Sequence, residues 1–116
     1  MKSAIIALAV TLALAAPSMA QDHSGHGAAT APSEAAAAYE AANAAMHADM
    51  AVELTGDADV DFIRSMIPHH QGAVEMAKIV LKYGTDPEVK ALAEAVIAAQ
   101  DAEIEWMEKW LASKGY

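Results

Sequence analysis

Cysteine is absent from the chain. That removes disulfides, thiolate metal sites, a thiol nucleophile and a lipid-anchored cysteine behind a leader. Basic side chains are scarce: 7 Lys and Arg stand against 16 Asp and Glu, a net charge of −9. Such a chain repels nucleic-acid phosphates and anionic lipid headgroups, so neither is expected as a partner. Glycine-rich phosphate loops, a G-x-S-x-G elbow and strand-like alternation are all missing. Nothing supplies a substrate pocket, and an enzyme is not expected.

The first 20 residues read as a leader. Lys2 is the positive start, an apolar run follows from Ala4 to Ala16, and Ser18-Met19-Ala20 is a small-x-small cleavage site. The run is short for a membrane span, which takes about 20 apolar residues. Cleavage after Ala20 would send the protein to the periplasm or outside the cell, with no membrane attachment afterwards. No paired arginines precede the run, which favours the general secretory route. An exported small domain without disulfides must be held by helix packing, by an oligomer or by a metal.

Residues 21–32 are Gly-, Ala-, Ser- and His-rich and read as a tail. Residues 33–116 read as one all-α domain. A first helix is expected from the Ser33 cap to about Leu54, with Tyr39, Met46, Met50 and Leu54 on one stripe. A second is expected from Ala58 to Tyr83, stopped by Gly84. Its apolar face includes Phe62, Ile63, Met66, Ala73 and Ala77, and a kink is expected at Pro68. A third starts on Asp86-Pro87 and runs to about Ser113, with Val89, Leu92, Val96, Trp106 and Trp110 facing inward. Short links between long amphipathic helices imply an antiparallel bundle.

Polar residues interrupt these inner faces: His69 and His70 on the second helix, Gln100 and Glu103 on the third. Buried polar groups need partners. Tight links near Gly56 and Thr85 would set residues summing to about 113 level on the first pair of helices, and about 170 on the second pair. Met46, His47, Met50, Met66, His69, His70, Gln100 and Glu103 would then converge within a few turns, each residue of error moving a group by about 1.5 Å.

Thioether and imidazole together favour Cu(I) or Ag(I) over hard cations. Met46 and Met50 are four apart, and Met66 lies three and four residues before the histidines, so single helix faces can offer paired donors. Unlike thiolates, these donors tolerate an oxidising compartment. Glu103, with Gln100 nearby, would orient a histidine from behind. Two other readings stay open. Methionine is also a common core filler, and His70, Gln100 and Glu103 could form a metal-free polar network in a structural or interaction bundle. Di-iron bundles use Glu-x-x-His pairs; here the spacing is Met66-x-x-His69, which argues against iron chemistry. A chain beginning at Gln21 would also place a free amine, two amide nitrogens and the His23 imidazole around Cu(II), with His26 close by.

The run Asp61-Phe62-x-x-x-Met66-Ile67-Pro68-His69-His70-Gln71-x-Ala73-x-x-Met76-Ala77 resembles the signature of domain-of-unknown-function family 305. The later Gln100-x-x-Glu103-Ile104-x-x-Met107-x-x-Trp110-Leu111 resembles that family's final helix. The resemblance covers about Met46 to Leu111. It implies a ferritin-like helical bundle in exported bacterial proteins, with a periplasmic copper-binding relative linked to copper resistance. It further implies Met66, His69, His70 and Met76 as metal contacts and matches Met46, His47 and Met50 to a Met/His-bearing first helix. Copper homeostasis, as a buffer or a chaperone serving a delivery partner, is the expected role. Three long helices stand where four would be expected, and a homodimer would complete the bundle.

Overall fold

The computed structural model describes residues 33–116. The expected leader, the tail and its His23 and His26 lie outside them. The described residues form three α-helices, α1 (Glu34–Asp49), α2 (Ala58–Tyr83) and α3 (Pro87–Lys114). Each begins on a side chain that accepts backbone N–H groups its own first turn cannot satisfy. Ser33 accepts from Ala36, Asp57 from Asp59 and Val60, and Asp86 from Glu88 and Val89. The protein is an all-α helical bundle, and none of its described helices is long and apolar enough to cross a membrane.

α2 and α3 match their expected bounds to within a residue or two. α2 continues as one helix across Pro68, which is buried. α1 is shorter than expected: it ends at Asp49 rather than Leu54. The cause is the Asp61 carboxylate, in the first turn of α2. It accepts the Thr55 N–H and the Thr55 hydroxyl, each at 2.7 Å, and the Gly56 N–H at 2.9 Å. Those bonds tie residues 55 and 56 back onto α2, which a helix running on to Leu54 could not allow. Leu54 is left exposed.

The Thr55 N–H foremost, then the Thr55 hydroxyl, hold the Asp61 carboxyl below its usual range; the Gly56 N–H and Arg64 act in the same direction. A depressed folded pKa contributes stability that is present above the unfolded value and lost as pH falls through the folded one. Asp61→Asn is therefore expected to lower the melting temperature at neutral pH. Thermal melts should show the gap between variant and wild type closing as pH falls below the ordinary carboxylate range.

α2 is the central helix. It packs against α3 along much of its length and against α1 on another side, while α1 and α3 do not pack on one another. The buried core is thin: Val60, Ile63, Val74 and Ala77 from α2 meet Ala93 and Met107 from α3, and α1 buries no residue. Several side chains expected to face inward are instead exposed, among them Phe62 at 59%, Leu92 at 64% and Trp106 at 58%. Their helices have the expected faces, but two neighbours cannot enclose α2, and among the described residues nothing further packs on its remaining side.

Candidate functional site

The metal-ligand candidates divide over two sides of α2. Helical spacing places Pro68 and Gly72 one turn apart on the side that meets α1. Gly72 is where α1 seats: a Cβ there would lie 2.5 Å from Met46 Sδ and 2.8 Å from its Cγ. Met46 therefore sits beside Gly72, not beside Met66. The expected register is corrected by about five residues, because the link between α1 and α2 is an extended segment and not a tight turn. His47 is exposed in the last turn of α1, and Met50 is half-buried at its C-cap. With the register shifted, His47 falls level with about Gln71 and not with Met66, and Met50 level with about Pro68 and not with Ile63.

On the α2–α3 side the expectation fares better. His70 Nε2 and Glu103 Oε2 are 2.5 Å apart. That pairing differs from the expected level by only three residues, less than one turn. Met66, His70 and Glu103 line one open cavity of ≈ 340 Å³ together with Phe62, Trp106 and Met107. Glu103 is a rim residue and not a core one: its side chain is 63% exposed, against 15% for His70. Gln100 is half-buried and makes no hydrogen bond to either group among the described residues. The expected three-membered polar network is thus a pair.

His70 has a further property that sequence does not reveal. Its Nδ1 is buried and has no hydrogen-bond partner among the described residues. In a neutral imidazole one nitrogen donates and the other carries a lone pair. In the tautomer that donates Nε2–H to the Glu103 carboxylate, the lone pair falls on Nδ1. A histidine held this way is oriented, the arrangement that carboxylates impose on metal-binding histidines. His70 and Met66 line the same cavity, and an imidazole with a thioether is a donor pair that suits a soft metal.

His69 is exposed, and its ring centre lies 6.0 Å from that of His70. Met76 is 41% exposed and lines a second apolar cavity of ≈ 290 Å³, with Tyr39 of α1 and Val80, Val89 and Leu92 on its other walls. No group of three or more His, Asp or Glu side chains converges among the described residues. Two features escaped the sequence reading: the Gly72 notch and the aromatic walls, Phe62 and Trp106, around the His70 cavity. The glycine inside a helical pattern was the available signal for the first.

The family model described as "Domain of unknown function (DUF305)" matches residues 9–111 of the chain. A second similarity is to an uncharacterized protein of Acanthamoeba polyphaga mimivirus, 39% identical over 49 residues. That match takes in 42% of this chain and 32% of the viral protein, so the chain corresponds to about a third of that relative's length.

Proposed function

We propose that this chain, which belongs to the DUF305 family, is an exported copper-handling protein that carries Cu(I) as cargo on thioether and imidazole donors. The observation that supports this is His70. Its Nε2 pairs with Glu103 while its Nδ1 is buried without a hydrogen-bond partner among the described residues, and the residue lines a cavity together with Met66. Met66 and His70 are the central donors, with His69 next to them and Glu103 orienting the ring. Met46, seated beside Gly72, and Met50 and Met76 are accessory donors, and Ag(I) would follow the same chemistry. Carriage, as a buffer or on the way to a delivery partner, suits a site of two or three neutral donors better than catalysis does. The leader-like residues 1–20 place that role in the periplasm or outside the cell.

Anaerobic titration of Cu(I) against a chromogenic chelator tests this. The chain should compete for the metal, and Met66→Leu and His70→Ala should each weaken it by at least about tenfold, roughly 1.4 kcal/mol. Glu103→Gln should weaken it by about 10- to 100-fold, the usual effect of losing a histidine's orienting carboxylate. Removing residues 21–27 should leave Cu(I) affinity unchanged and abolish any Cu(II) site built on His23 and His26. Failure to compete, or equal affinity in all variants, would return His70 and Glu103 to a metal-free structural contact.

A further inference from the structure

The α2–α3 pair has two unlike sides. One is lined by Gln71, Glu75, Lys78 and Asp101 and is polar. The other holds both apolar cavities, one of them walled at its edge by Tyr39 of α1, and these follow one another along the same two helices. On α2 the lining passes from Phe62 through Met66 and Ala73 to Val80, a distance of about 27 Å at 1.5 Å per residue. On α3 it passes from Val89 through Val96 to Trp106. The most exposed large apolar side chains of the two helices, Phe62, Met76, Val89, Leu92 and Trp106, all lie on this side.

We propose that this apolar side docks a second copy of the same chain, α2–α3 against α2–α3, to give a two-fold four-helix arrangement. Those five side chains together expose roughly 500 Å², in the range of patches that mark interaction sites, and that is more than half of the about 800 Å² per partner that a standard interface buries. Charge favours a second copy over lipid or nucleic acid, which a chain of net charge −9 repels. It does not oppose self-association, because Glu103 is the single acidic side chain lining the two cavities and it is bonded to His70. Composition argues against the tail: residues 21–32 contain no apolar side chain larger than alanine or proline, nothing that would fill cavities walled by Phe62, Leu92 and Trp106. A two-fold pairing needs only a self-complementary patch, and two helical hairpins closing on their apolar sides is an established way to build a four-helix core.

The test uses the metal-free chain in chelator, so it stands apart from the copper reading. Sedimentation equilibrium from about 1 to about 100 µM should give twice the chain mass. Leu92→Glu and Trp106→Glu should each weaken association by at least about 30-fold while far-UV circular dichroism stays helical. Because the chain has no cysteine, a spin label at Ala102→Cys, in the His70 cavity wall, reports copy-to-copy distance even if the glutamate variants unfold. It should give a shorter distance than a label at Glu94→Cys, an exposed position about 160° around α3 from Leu92. A wild-type monomer at about 100 µM would overturn the proposal. So would a dimer untouched by the glutamates, a closer approach at Glu94 than at Ala102, or a monomer that dimerises only after residues 1–32 are removed.

Discussion

Met107→Ala is expected to cost about 2–5 kcal/mol, the range for truncating a buried methionine. Met107 is 4% exposed and is the one large α3 side chain buried against α2. No side chain in the described domain is fully buried, so there is little other core to compensate. A domain of this size has only about 4–13 kcal/mol of stability in total. The melting temperature should fall by roughly 8–40 °C, taking about 4–8 °C per kcal/mol. Trp106 is the larger side chain and its immediate neighbour in sequence, yet it is mostly exposed. Trp106→Ala should therefore cost the isolated fold much less. Its effect should grow with protein concentration, because what it removes is contact between copies. Thermal melts of both variants at two concentrations check the pair of expectations together.

Gly72→Val is expected to detach α1 while leaving α2 and α3 paired. Glycine in the middle of a helix costs about 1 kcal/mol relative to alanine. Replacing it should help, unless something occupies the space. Met46 occupies it. The sulfur, 2.5 Å from the new Cβ, could swing away, but Met46 Cβ at 3.1 Å is fixed to the α1 backbone. Even Gly72→Ala should push α1 outward at a cost of about 1–3 kcal/mol, and valine at a greater cost. α1 buries no residue and packs on α2 alone, so the strain should appear as local opening. Hydrogen exchange should speed up at α1 amides and hold steady across the α2–α3 core. Met46→Ala in the same chain should recover at least about 1 kcal/mol, the coupling expected of side chains in direct contact. Uniform loss of protection across all three helices would contradict this account of α1.

These two residues also mark where sequence reasoning succeeds and where it stops. The Asp57 and Asp86 caps and Pro87 at the first helical position fix the starts of α2 and α3 because their causes are local. The short link at Gly84 to Asp86 fixes the level of α2 against α3, which is why His70 and Glu103 meet close to where spacing puts them. Nothing local fixes α1 against α2. Its level depends on the Gly72 notch and on an eight-residue link held by Asp61, both of them contacts between distant parts of the chain. Periodicity likewise marks Phe62, Leu92 and Trp106 as an apolar face. It cannot say whether this chain or another covers that face. The unpartnered Nδ1 of His70 depends on side-chain orientation, which spacing does not carry.

The central claim is that Cu(I) binds on Met66 and His70, with Glu103 behind the ring. X-ray absorption at the copper edge of the Cu(I)-loaded chain tests it most directly, because sulfur and nitrogen neighbours scatter differently. The account predicts both sulfur and nitrogen around the metal, less sulfur in Met66→Leu and less nitrogen in His70→Ala. A copper environment of nitrogen and oxygen alone, or one that neither substitution changes, would contradict it.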